Sequence, residues 1–121
     1  MLKAVIIAAA LAAATASVAA PARLSDVQYL KAARCEALIT SPALGGGDGA
    51  AIKALIKAQR QGRMDYIYDK ADQMRAEAAS QARRAGEEQK ARLVAERDGA
   101  CRVLLGDTQT AGGASAPHTA N

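Results

Sequence analysis

The stretch MDYIYDKADQMRAEAASQARRAGEEQKARLVAERDGACRVLL, residues 64–105, decides the fold. Met64, Ile67, Ala71, Met74, Ala78, Ala82 and Ala85 recur at the three-and-four spacing of one helix face. The face weakens into alanine, and no large apolar residue occurs between Met74 and Leu93. Leu93, Val94, Val103, Leu104 and Leu105 then restore it, with Cys101 among them. Two readings compete. Arg84, Glu88, Arg92 and Glu96 form an i,i+4 ladder, and Arg83 with Glu87 adds a pair, which supports one unbroken helix. A reversal near Gly86 would instead fold the stretch into a hairpin.

Length arithmetic favours the reversal. Ser25 is an N-cap candidate with Gln28 three residues on, a capping box, and Leu24 and Tyr29 stand at the staple positions. Val27, Leu30, Ala33, Ala37 and Leu38 give helix 25–40 an apolar face, with Arg34 near its middle. A long arginine there snorkels to water more often than it pairs with a carboxylate. Ser41-Pro42 stops that helix, and Leu44-Gly45-Gly46-Gly47-Asp48-Gly49 is a connection in which Asp48 can cap the next helix. Ile52, Leu55 and Ile56 stripe helix 50–61, which Gly62 ends. If these helices run up, down and up, Cys35 lies roughly 15 Å above the bundle floor, level with Asp72. An unbroken helix from 64 would carry Cys101 about 44 Å above Asp72, but turning near Gly86 after a climb of about 33 Å returns it to Cys35. The expected architecture is therefore all-α: a small bundle of three to four helices with an Ala-rich helical hairpin whose 77–91 stretch forms a protruding tip.

The pairing matters because the chain is poor in large apolar groups. It has 121 residues, 32 of them alanine, no Trp, no Phe and three Tyr. Scarce aromatic and β-branched residues exclude an all-β sandwich, and the length excludes a large α/β enzyme. Domains so short and thinly filled need a staple.

The first residues read as an address. Met1-Leu2-Lys3 is basic, Ala4 to Ala14 is an apolar run, and Ser17-Val18-Ala19 presents small side chains at a cleavage site. The expectation is a signal peptide over 1–19 cut after Ala19, with Ala22 as second choice. An uncleaved membrane anchor is the weaker reading, because the run is short for a bilayer. No cysteine follows closely enough for lipid attachment. The expected domains are then a signal peptide 1–19, a helical domain 20–106 ended by Gly106, and a disordered tail 107–121 rich in Gly, Ala, Ser and Thr. The arginine and alanine bias suggests a GC-rich bacterium and hence the periplasm. There Cys35 and Cys101 are expected to join, and closing the loop is worth about 4 kcal/mol. A redox pair or a metal site would need closer or more numerous ligands.

Chemistry is sparse. The Gly45–Gly49 loop before Lys53 resembles a phosphate cradle, but it lacks the Gly-Lys-Ser/Thr ending and carries Asp48 where an anion would sit, so it reads as a linker. Asp65, Asp69 and Asp72 share a helix face and are weak candidates for a hard cation; a solvated acidic face is the better reading. Lys53, Lys57 and Arg60, extended by Arg63, form a basic stripe that could meet lipid head groups, lipopolysaccharide or an acidic protein. Nucleic acid fits poorly, given a net charge of only +4 and no stacking platform. The one histidine, His118, lies in the expected tail with nothing to orient it, and no nucleophile–base arrangement can be assembled. Tyr29, Tyr66 and Tyr68 join the stripe as candidate anchors for a partner. The expectation is a non-catalytic exported helical protein, without a cofactor, that binds an envelope partner; the alternative is a divalent-cation- or anion-binding periplasmic module. A mass spectrum of the protein accumulated in the periplasm should show a chain starting at Ala20 that gains two hydrogens on reduction. A full-length mass would refute the cleavage, and a mass unchanged by reduction would refute the disulfide.

Overall fold

The computed structural model describes residues 22–110, and for 107–110 the backbone alone. The expected signal peptide 1–19, with its cleavage site at Ala19, and the tail beyond Thr110 lie outside the described residues. Five α-helices follow in order: α1 (Asp26–Thr40), α2 (Ala50–Gln59), α3 (Asp65–Arg84), α4 (Glu87–Glu96) and α5 (Arg102–Thr110). A 3₁₀ turn, Pro42–Leu44, follows α1, and a π-helical turn, Arg97–Cys101, joins α4 to α5. No strand occurs among the described residues. The all-α class is as the sequence reads.

The capping box forms: Ser25 Oγ accepts from the Gln28 amide at 3.2 Å, and the Ser25 amide donates to Gln28 Oε1 at 3.0 Å. The helix it starts is the mast of the bundle. Tyr29, Ala32, Ala33, Cys35, Ala37 and Leu38 are all buried, and they point almost all round the axis. The expected single face was therefore too narrow, and Val27 is not on it, being 63% exposed. A helix covered from several sides shows weak periodicity.

Three segments cover the mast. α2 descends beside it, with Gly49 against Thr40 at the top and Gln59 bonded to the Leu24 amide at the bottom. α3 climbs parallel to α1, as the Tyr29–Tyr68 and Glu36–Arg75 contacts show. These two pack closely, with Ala32, Ala33 and Ala37 of one and Ala71, Ala78 and Ala82 of the other in one buried cluster. Small side chains let the axes approach. Ala78 and Ala82 therefore belong to the core and not to a protruding tip, which is confined to the exposed residues nearer Gly86.

The chain reverses at Ala85-Gly86, both in extended conformation, so α3 and α4 form the expected hairpin. Gly86 has negative φ, and an added Cβ would meet nothing within 4 Å, so the turn does not demand glycine sterically. The ladder does not bridge the break. Glu88 binds Arg92 at 2.6 Å within α4, and Glu96 is taken by Arg34.

On the return the π turn packs against α1 and α5 against α2, and Cys101 meets Cys35 with an S–S distance of 2.06 Å and Cα atoms 5.5 Å apart. The π turn sets the register of this meeting. In an unbroken α-helix Leu93 and Cys101 would lie about 80° apart around the axis; absorbing one extra residue reduces this to about 20°. Both are buried, while Val94, on the α-helical heptad with Cys101, is only half-buried. The last helix passes through Gly106 to Thr110, because Gly106 keeps a negative φ and the left-handed stop is not made.

Replacing Cys35 and Cys101 by serine should lower stability by about 4 kcal/mol. Thermal unfolding should show a fall on the order of 20 °C for a domain this size. An unchanged melting temperature would mean that the helices hold together without the bond.

Candidate functional site: the basic face of α2

The residues singled out in the sequence separate into a buried knot and an exposed row. The knot lies at the foot of the bundle, where Ala22–Asp26, Gln59–Arg63 and Tyr68 meet. Arg63 is not part of the surface stripe: its side chain is only 2% exposed. Its Nε donates to Gln59 O at 2.9 Å, Nη2 to Leu24 O at 2.9 Å and Nη1 to Asp26 Oδ1 at 2.6 Å. The guanidinium lies 4.4 Å from the Tyr29 ring centroid, and Tyr29 meets Tyr68 edge-on at 6.5 Å. Tyr29 is thus core and no partner anchor. Tyr68 is half-buried; its hydroxyl donates to Arg60 O at 2.5 Å and accepts from the Arg63 amide at 3.3 Å. Tyr66 stays 62% exposed.

The exposed row is made by Lys53, Lys57 and Arg60. Spaced i, i+4 and i+7, they fall within about 60° around α2 and span about 10 Å along it. Buried Ile52, Ile56 and Gln59 turn the adjoining side of the helix into the core, so the row runs along one flank of the exposed side, beside Ala50, Ala54 and Ala58. No acidic residue occurs within α2, and none of the three cations forms an ion pair among the described residues. Arg60 lies over Tyr68 at 5.4 Å from the ring centroid, which steadies it without neutralising it. Arg23, whose Nη2 donates to Gln61 O at 2.5 Å, adds a cation at the same end.

The other candidates do not assemble. Asp65, Asp69 and Asp72 are exposed along α3, and Asp72 is bound by Arg75 at 2.9 Å. Among the described residues no three His, Cys, Asp or Glu side chains converge as metal ligands. The glycine loop spends its amides on the end of α1 and the turn after it: Gly47 donates to Ile39 O at 2.8 Å, Gly46 to Ser41 O at 2.9 Å and Gly45 to Pro42 O at 3.3 Å. Asp48 Oδ1 accepts the Ala50 amide at 3.0 Å and sits where an anion would bind. His118 lies outside the described residues.

Two ion pairs and two grooves were not legible in the sequence. Arg34 reaches Glu96 through two hydrogen bonds, at 2.6 and 3.1 Å, and Gln81 at 3.0 Å, so it pairs where snorkelling was expected. Arg75 binds Glu36 at 2.7 Å. Burial pushes the Arg75 guanidinium down, but the Glu36 hydrogen bond and the charges of Glu36 and Asp72 outweigh it and hold the group above its ordinary value. A groove of about 400 Å³ is lined by Lys31, Arg34, Cys35, Met74, Glu96, Ala100 and Leu104. Another, of about 460 Å³, lies between Ile39, the glycine loop and the π turn, where Arg97 donates to Leu44 O. The Arg97 hydrogen bond holds the exposed Asp98 carboxyl there below its ordinary value.

No protein family, curated protein or solved structure matches the chain.

The knot and the row should respond differently to mutation. Arg63→Met removes the donors serving Leu24 O, Gln59 O and Asp26 and should cost about 2–3 kcal/mol in urea unfolding. Arg60→Met, at the surface, should stay within about 1 kcal/mol. Equal losses would mean that Arg63 is not the structural member of the pair.

Proposed function

We propose that this is a small exported helical protein of the periplasm that acts without catalysis, by binding a component of the cell envelope through the basic face of α2. The observation that carries the reading is the unneutralised row Lys53–Lys57–Arg60 on a helix that contains no acid. Three arginines on other elements are consumed internally: Arg34 by Glu96, Arg63 by Asp26 and Arg75 by Glu36. Export is supported by the basic start, the apolar run Ala4–Ala14 and the small residues before Ala19. A non-catalytic role is supported by the use of the polar clusters, whose donors and acceptors satisfy one another and the backbone. Among the described residues no buried side-chain polar atom lacks a partner. A catalytic group needs some of that capacity left for a substrate.

The test is envelope association in cells. Wild-type protein should fractionate or crosslink with the envelope, and Lys53→Glu/Lys57→Glu/Arg60→Glu should remain free while melting within a few degrees of wild type. Retention of the reversed protein at wild-type levels would refute the reading.

A further inference from the structure

We infer that the partner of the α2 face is an anionic phospholipid surface, on which the protein docks peripherally through Lys53, Lys57 and Arg60 with Met64 and Tyr66 at the end of the row; this rests on the reading that the face binds an envelope component.

The argument starts from the composition of the face. Apart from the three cations, the solvent side of α2 is alanine: Ala50, Ala51, Ala54 and Ala58 are exposed. Nothing on this side of α2 would be repelled by phosphate, and no large polar side chain would have to give up water. Lysine and arginine stems can lie along a surface with the charged head at phosphate level. The row ends in the turn to α3, where Met64 is 67% and Tyr66 62% exposed. A tyrosine with a polar tip and an apolar ring suits the head-group layer. Arg23 stands at the same end. The acids nearby include exposed Asp65, between Met64 and Tyr66, and exposed Asp69. Asp26 is bound by Arg63, Asp48 accepts the Ala50 amide at the far end, and Asp65 and Asp69 lie on α3. Attraction therefore depends on orientation, with the α2 side turned toward the lipid.

An acidic protein would satisfy the same charges but fits the face less well. Lysine is depleted at the centres of protein interfaces, where aromatic and arginine anchors enter pockets, and this row is two lysines and one arginine on a convex helix. No groove among those described is lined by the row. A membrane asks for no groove.

The experiment is vesicle co-sedimentation with the purified chain in the form the cell accumulates, its N-terminus read by mass spectrometry. Vesicles of phosphatidylcholine alone are compared with vesicles containing about 30% phosphatidylglycerol. Binding should require the anionic lipid and fade as salt shortens the screening length. Each cation removed should weaken binding about fivefold, so Lys53→Gln/Lys57→Gln/Arg60→Gln should weaken it about a hundredfold. Met64→Ser/Tyr66→Ser should weaken it further at high salt, where the apolar contact carries more of the affinity. Lys70→Gln/Lys90→Gln, on other helices, is the control and should bind at close to the wild-type level. Melting curves confirm that each variant is folded. Equal binding to neutral vesicles, or triple-variant binding at the wild-type level, would overturn the inference. Absence of vesicle binding together with charge-dependent crosslinking to an envelope protein would overturn it while leaving the envelope-binding reading standing. Absence of both would overturn both.

Discussion

The bond between Cys35 and Cys101 ties α1 to the π turn between α4 and α5, across a separation of 66 residues. The core around it consists of a few large residues, chiefly Leu38, Ile52, Ile56, Ile67 and Leu93, set among alanines. Burying an alanine removes little area from water, so the hydrophobic return per ordered residue is small. The covalent link acts on the other side of the balance by reducing the freedom of the unfolded chain. It also constrains the native chain locally. Leu93 and Cys101 must face α1 together, and an α-helix does not place them so; the π turn does. The π turn and the staple therefore occur at the same place for one reason.

Where large apolar groups are missing, polar contacts hold the helices in register. Arg63 performs at the foot of the bundle what an aromatic cluster performs in a richer core. It spans three segments, stacks on Tyr29 and satisfies two backbone carbonyls. Arg34–Glu96 joins the mast to α4, and Arg75–Glu36 joins it to α3. Such pairs add less than hydrophobic burial of equal volume, but breaking one leaves a desolvated charge, so they discriminate against misaligned packings.

The all-α class, the capping box, the helix boundaries near residues 25–40 and 50–61, and the reversal at Gly86 were legible because each depends on local chemistry or on chain length. The reversal needed only helix rise and the requirement that two sulfurs meet. What was not legible depends on how many neighbours a helix acquires. Val27 looked like a core position because a single apolar face was assumed for α1, yet that helix is covered on several sides. Arg63 looked like a continuation of the Lys53–Lys57–Arg60 stripe. Gly62, with φ of +79°, breaks the helix before it and lets the side chain turn inward. Tyr29 belonged to the same misreading, since its burial follows from Arg63 covering it. Arg34 pairs because Glu96 is delivered from 62 residues away, which no local pattern announces. The π turn has no signature in the residues that form it.

The distribution of charge follows from these same packing needs. Glu36 of α1 and Glu96 of α4 face arginines of neighbouring helices, so these charges close on one another between the helices. α2 packs by Ile52, Leu55, Ile56 and Gln59 and has no acid to contribute. Neutralising its row internally would require a carboxylate on a neighbouring element, and among the described residues none forms an ion pair with it. A row of positive charge without an ion pair among the described residues therefore runs along the exposed side of α2. A surface of that kind repels copies of itself and attracts anions at a distance of about a Debye length, roughly 8 Å at physiological salt. The apolar side chains next to it, Met64 and Tyr66, contribute only on contact. Long-range attraction and short-range adhesion thus lie on one end of the molecule, and the thin core fixes their relative position through Arg63, the residue between Arg60 and Met64.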